Sequence, residues 1–247
     1  MNAKVAIIYI ATDKYNQFWD DFYASAEQHL FPGTEKRYVV FTDCPDKYKG
    51  DNIRVCTIEH KPWPYVTLHR FDYILDFRHE WEDCTHVFFF NANVRVVRDV
   101  ASDVFCRQDD KITALPACWN QSNDSDELPF ERRVESEACL PIGGGYTPYY
   151  AGGLYGARTD VFTGMIRQCA DWLATDTKRG ITPIWHDESY LNAYLHTRAE
   201  VNKLDTRYGM PGEMVTALYL FRGFDPMAYM VFRPKEGLVD KPADARY

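Results

Sequence analysis

The chain has 247 residues, 46% apolar and 26% charged, which excludes disordered and fibrous architectures and leaves room for an enzyme-sized domain. Acidic residues number 36 against 28 basic ones, and the formal charge of −8 argues against a protein built to hold the phosphate backbone of nucleic acid. A small anionic ligand in a local pocket stays open.

Residues 4–11, KVAIIYIA, form an unbroken apolar run rich in β-branched side chains, as in a strand buried on both faces. The run is too short for a membrane span and no cleavage pattern follows it. Next, Tyr15, Phe18, Trp19, Phe22 and Ala26 recur at helical spacing, which predicts an amphipathic helix stopped by Pro32-Gly33. Strands are predicted at 37–43 and 53–59, a loop at Pro62-Trp63-Pro64, a helix from Val66 to Trp81 and a buried strand over 85–90. After a strand near 111–115, residues 116–148 are rich in Asn, Ser, Asp, Gly and Pro and read as one long loop, a length that usually carries function. Helices over Thr159–Thr175 and Asp187–Thr197 and a strand at 228–233 complete the pattern. Alternating strands and helices predict an α/β fold with a mostly parallel central sheet, its ligands beyond the carboxyl ends of the strands. With no repeat or linker, one domain over 1–247 is expected, with no stem or transmembrane segment.

Seven cysteines at uneven spacing, an odd count without CxxC or CxxH, speak against structural zinc or a disulfide framework. Buried thiols in a reducing cytoplasm are the expectation.

Three constellations stand where chemistry is expected. Asn91-Ala92-Asn93 ends a buried strand; aspartates there would suit a divalent cation, whereas asparagines hydrogen-bond hydroxyls or phosphates, or simply make a turn. Trp185-His186-Asp187-Glu188-Ser189 heads a helix, where Asp187 and Ser189 could cap it. A carboxylate there could also serve an anomeric carbon, with Trp185 as a sugar platform; no second His or Cys completes a metal site. Tyr149-Tyr150-Ala151-Gly152-Gly153 permits close backbone approach by a ligand or forms a bulge. Arg233, Lys235 and Lys241 could clamp phosphates or form an exposed cationic tail.

Together these motifs resemble glycosyltransferase family 6, the family of the ABO blood-group transferases and the α1,3-galactosyltransferase, and especially its short bacterial members. The matching residues run in order from Tyr38-Val39-Val40-Phe41-Thr42-Asp43 through Phe88 to Asn93, Phe130-Glu131-Arg132-Arg133 and Tyr149 to Gly153, ending at Trp185 to Ser189 with Leu191-Asn192. The resemblance implies a GT-A fold and retaining transfer of galactose or N-acetylgalactosamine from a UDP-sugar to the 3-hydroxyl of a galactoside. It places Ile10, Ala11, Thr12 and Tyr15 at uridine, Arg70 facing the donor, Asp187 on the donor sugar, Glu188 beneath the reacting carbon and Trp185 under the acceptor. Mammalian members have Asp-x-Asp where this chain has Asn91-Ala92-Asn93, and some bacterial members with Asn-x-Asn work without metal. The expectation is catalysis with no divalent metal or other cofactor, Asn91, Ala92 and Asn93 contacting the donor and Arg233 or Lys235 neutralising charge. Ala151 and Gly153 stand at the family's donor-selecting positions; both are small, with Gly152 between them, which favours UDP-N-acetylgalactosamine over UDP-galactose. Leu115-Pro116-Ala117-Cys118-Trp119 lacks the family's acceptor-contacting His, and Pro129 replaces its Thr, so a galactose-terminated acceptor other than the fucosylated blood-group H glycan is open.

Two other classes compete: a lectin-like protein that binds sugar nucleotides without turnover, and a glycosidase. The retained Glu188 argues against the first. Against the second, neighbouring helical side chains diverge by roughly 100°, so Asp187 and Glu188 cannot readily flank one bond. A cytoplasmic enzyme acting on a soluble or membrane-surface glycan is expected, with no nucleic-acid partner.

Overall fold

A computed structural model describes residues 3–118, 122, 124–143, 148–198, 200–223 and 225–235; Trp119 and Lys241 lie outside them. In chain order the elements are β1 (Lys4–Ile10), α1 (Trp19–His29), β2 (Glu35–Thr42), β3 (Ile53–Thr57), α2 (Tyr65–Leu68), α3 (Arg70–Asp76), β4 (His86–Asn91) and β5 (Val94–Val96). There follow α4 (Ser102–Phe105), β6 (Ile112–Pro116), β7 (Tyr150–Arg158), α5 (Thr159–Lys178), α6 (Asp187–His196), β8 (Val201–Lys203), β9 (Met210–Pro211), α7 (Gly212–Arg222) and β10 (Met230–Phe232).

β1 organises the core because its side chains alternate between two buried faces. Val5, Ile7 and Tyr9 join Phe18, Trp19 and Phe22 on one side of the sheet, while Ala6 and Ile8 join Phe71 and Ile74 of α3 and Phe162, Met165 and Ile166 of α5 on the other. An unbroken apolar strand is what such two-sided burial demands. Among the described residues the main sheet runs β3-β2-β1-β4-β7-β6-β8, and a small second sheet runs β5-β10-β9. The fold is of the mostly parallel GT-A type, with β7 antiparallel to both β4 and β6. At that junction Gly156 pairs with Phe88, and a Cβ on it would collide with the Phe88 ring and the Val87 carbonyl. Only the absence of a side chain lets the two strands pair there.

The predicted helix over 66–81 is instead three pieces: α2, α3 and a 3-10 turn at Arg78–Glu80, with His69 out of helical geometry between the first two. The break turns Arg70 into the protein interior, where its side chain finds polar partners. The first predicted helix likewise opens as a 3-10 turn, Asp13–Phe18, before α1 begins. Buried Asp176 of α5 pins the long loop: it accepts hydrogen bonds from the Ser136 hydroxyl at 2.7 Å, the Glu137 N–H at 2.9 Å and the Tyr190 hydroxyl at 3.0 Å. Helix α7, absent from the periodicity reading, has no amphipathic stripe and buries none of its described residues. Its Tyr219, Leu220 and Phe221 are exposed.

The thiol expectation needs correction: Cys56, Cys84 and Cys169 are buried, but Cys106, Cys118 and Cys139 are partly exposed and Cys44 is exposed. All are unpaired, as the irregular spacing implies. Among the described residues, no helix is long and apolar enough to cross a membrane.

Candidate active site

A cavity of about 750 Å³ opens beyond the carboxyl ends of β1, β3 and β4 and is closed on the far side by the start of α6 and the stretch after β10. Its floor is the irregular part of β7. The β6–β7 pairing jumps from Ala114↔Tyr155 to Pro116↔Tyr150, so Ala151, Gly152 and Gly153 leave the ladder and present their backbone to the cavity. Gly152 is required by a close approach. A Cβ there would lie 3.1 Å from Glu188 Oε2 and 3.4 Å from Asp187 Oδ2.

Two adjacent carboxylates at the head of α6 meet opposite partners. Arg70, buried and stacked 4.1 Å over the Phe89 ring, pairs with Asp187 at 2.8 Å and donates to the Gly152 carbonyl at 2.6 Å. Burial alone would pull the guanidinium down; the facing Asp187 carboxylate, together with Tyr155 and Glu188, more than offsets this and holds it above its ordinary value. Asp187 is pushed above the usual carboxylate range by the same burial, against the pull of Arg70. Glu188 accepts from the Tyr149 hydroxyl at 2.6 Å and from the Gly152 N–H at 2.5 Å. Desolvation raises it to about 6, although both donors favour the charged form. The N-cap residue is His186, whose side chain makes no cap bond; the Asp187 carboxylate pairs with Arg70 while also facing the first N–H groups of α6, and Ser189 accepts from the Trp185 N–H at 3.0 Å.

The lead-in to α6 is strained and braced. His186 has φ 53 and ψ −122, an uncommon backbone state for a residue with a side chain, and such states concentrate at functional sites. Its ring meets Trp63 edge-on at 4.9 Å, and burial pushes it down to about 4, so it is neutral. From below, buried Glu131 accepts from the Ile184 N–H at 2.8 Å, and Arg133 donates to the Thr182 carbonyl. Asn192 bonds both the N–H and the carbonyl of Tyr150, tying α6 to β7. Trp185 lines the cavity; its indole N–H is buried with no partner among the described residues.

At the end of β4 the Asn91 amide donates to Asn93 Oδ1 at 2.9 Å, and the Asn93 amide donates to the Arg233 carbonyl at 2.5 Å. Neutral amide oxygens are weak ligands for hard cations, and the Asn93 oxygen is already engaged. Among the described residues no group of three His, Cys, Asp or Glu could hold a metal ion.

The sequence matches the profile of glycosyltransferase family 6 over residues 1–210. The chain belongs to glycosyltransferase family 6. It is 34% identical over 197 residues to the O-antigen biosynthesis glycosyltransferase WbnI of Escherichia coli, which covers 78% of this chain and 82% of that one. Histo-blood group ABO system transferase 1 of Rattus norvegicus is 30% identical over 222 residues, 84% of this chain but only 61% of the rat protein. Globoside alpha-1,3-N-acetylgalactosaminyltransferase 1 of Gallus gallus is 24% identical over 252 residues, 98% of this chain and 68% of that one.

In this family 6 chain the cavity brings together Ile10, Thr12, Tyr15, Arg70, Asn91, Asn93, Ala151, Gly152 and Gly153 with Trp185, Asp187, Glu188, Arg233 and Lys235. Ala11 and Ala92 do not line it; both are packed in the core, where the Ala92 carbonyl accepts from the Tyr9 hydroxyl at 3.1 Å. Arg70 borders the cavity with its guanidinium turned to Asp187. Arg233 stands at the mouth paired with Asp21 at 3.0 Å, and the Lys235 ammonium lies over the Tyr15 ring. A Cβ on Gly153 would meet the Phe232 ring at 2.9 Å, so the space beside it belongs to Phe232. Sequence reasoning missed the wall formed by His60, Trp63, Val66 and Thr67. His60 Nδ1 lies 3.0 Å from the Thr12 hydroxyl, just after β3, so looking beyond each strand end would have found it.

Proposed function

We propose that this chain is a retaining glycosyltransferase that moves N-acetylgalactosamine from a UDP-sugar to the 3-hydroxyl of a galactoside, without a metal ion. The observation that carries the reading is Glu188: a half-buried carboxylate at a cavity floor, with each oxygen held by a protein donor and aimed past a glycine that leaves room above it. As an anion it offsets positive charge at an anomeric carbon as the UDP bond breaks, either directly or as nucleophile. Tyr15, Thr12 and Ile10 form the wall for the base, Asn91 and Asn93 offer amides to the donor, and Arg233 and Lys235 stand where a diphosphate needs cations. Asp187, fixed by Arg70, contacts the donor sugar; Trp185 offers its indole to a galactose-terminated acceptor. The names of two relatives, Globoside alpha-1,3-N-acetylgalactosaminyltransferase 1 of Gallus gallus and Alpha-1,3-galactosyltransferase 2 of Homo sapiens, agree with this chemistry.

Ala151 and Gly153 are small enough for an acetamido group. One observation favours a second donor: Phe232 occupies the space beside Gly153, which suits the smaller 2-hydroxyl of UDP-galactose. Incubation with each donor, with and without EDTA, across a panel of galactosides and with UDP release as readout, decides both points. The expected result is acceptor-dependent release with UDP-N-acetylgalactosamine that EDTA leaves unchanged, and Gly153→Leu loses that transfer first. Activity abolished by EDTA and restored by manganese would overturn the metal-independent reading, and binding without release would favour a lectin-like protein.

A further inference from the structure

We propose that Tyr149 is the positioning residue of this site, its hydroxyl holding Glu188 in the cavity and away from Arg70. The inference rests on the transferase reading, in which Glu188 must face the donor as an anion.

Two carboxylates, Asp187 and Glu188, follow one another at the head of α6, and one guanidinium, Arg70, lies within electrostatic reach of both. A guanidinium in a dry pocket attracts whichever carboxylate can reach it. If Glu188 turned toward it, the cavity would lose its anion. In the structure Asp187 takes Arg70 and Glu188 takes other donors: the Tyr149 hydroxyl on Oε1 and the Gly152 N–H on Oε2. The Gly152 amide bonds one oxygen and leaves the carboxylate free to pivot about it. A second donor on the other oxygen removes that freedom.

Tyr149 is built for such a task. It is 2% exposed and packs against Phe130 with ring centroids 5.2 Å apart. Its backbone is pinned on both sides, its carbonyl accepting from the Ala117 N–H at 2.9 Å while Asn192 brackets the next residue. The hydroxyl therefore has a fixed address. Burial and the neighbouring Glu188 hold the phenol far above its ordinary value, so it donates and keeps its proton throughout. The charged and titratable groups that face Glu188 are Tyr149 just before β7, Asp187 on its own helix and Arg70 from α3, with neutral His186 adjacent in the chain.

Tyr149→Phe deletes one oxygen and keeps the ring, so the fold and the Phe130 contact survive. Glu188 carboxyl titration, followed by carbon NMR and assigned with Glu188→Gln, should move up by about one pH unit, because a lost hydrogen bond to a charged group is of that size. The shift is expected whether or not the protein turns over. In the transferase assay kcat should fall on the order of 10-fold while KM for donor and acceptor changes little, and the acid limb should move up with the titration. Replacing Tyr149 by 3-fluorotyrosine, a stronger donor of nearly the same shape, should move the titration down. An unmoved Glu188 titration in Tyr149→Phe overturns the inference, as does a loss that appears in KM alone. Absence of turnover in the unaltered protein would instead overturn the transferase reading, and the titration would still decide the hydrogen bond.

Discussion

Arg70→Met tests the buried pair on which the site is built. Methionine keeps much of the apolar stem beside Phe89 but removes the cation facing Asp187 and the donor to the Gly152 carbonyl. Both paired side chains are under a tenth exposed, at 7% and 8%, so water cannot take over. Breaking one partner of such a pair costs about 3–5 kcal/mol, and for a chain of this length that is on the order of 10 °C in Tm. The loss should depend on pH. Burial already holds the folded Asp187 carboxyl above its ordinary value of 3.8, and removing Arg70 raises it further. A raised folded value means that the folded state takes up a proton that the unfolded chain releases, so stability falls as pH rises through that value. The deficit against the unaltered protein is therefore largest near about pH 8 and smallest near about pH 5. Urea unfolding followed by tryptophan fluorescence at both conditions measures it, and Arg70→Met with Asp187→Leu should recover a good part of the loss. A deficit below about 1 kcal/mol at the higher pH, or one equal at both, would refute the argument.

Gly156→Ala should lower the urea midpoint by the equivalent of about 3 kcal/mol, since the new methyl meets the Phe88 ring and a backbone carbonyl that cannot retreat without breaking the β4–β7 ladder; near-normal stability would show that the strands do not approach so closely. Asp176→Ala should cost about 3 kcal/mol by leaving the Ser136 and Tyr190 hydroxyls and the Glu137 N–H without their acceptor. Limited proteolysis of that variant should cut first within the loop before β7, and an unchanged pattern would count against the pinning role. If Glu188 works as an anion, kcat/KM for the donor should rise as pH rises through about 6, where its carboxyl ionises; a profile flat across that point would remove Glu188 from the role assigned to it.

The strands of the parallel half were legible because two-sided burial writes a continuous apolar run, as in β1 and β4. The break at His69 was not, since Leu68, Phe71 and Ile74 keep helical spacing straight through it, and what bends the chain is the tertiary demand of Arg70 for Asp187 and the Gly152 carbonyl. Residues recognised by motif mostly converged on one cavity. Ala11 and Ala92 were carried along by adjacency; each lies just past a strand end and packs into the core. The wall with His60 and Trp63 went unread because Pro62-Trp63-Pro64 signals a loop without showing that it reaches the cavity at the end of β3. Asp187 looked like a helix cap because sequence shows the head of a helix but not the arginine waiting opposite it.

The hydrogen bonds of Asn93 also constrain how this chain can change. Its amide donates to the Arg233 carbonyl, and its own carbonyl accepts from the Arg233 N–H at 2.8 Å. A carboxylate at that position would set oxygen against oxygen, two acceptors without a proton between them. Aspartate at position 93 would therefore unseat the segment after β10 that closes the cavity. Residue 93 is thus tied through its side chain to the backbone 140 residues further along the chain.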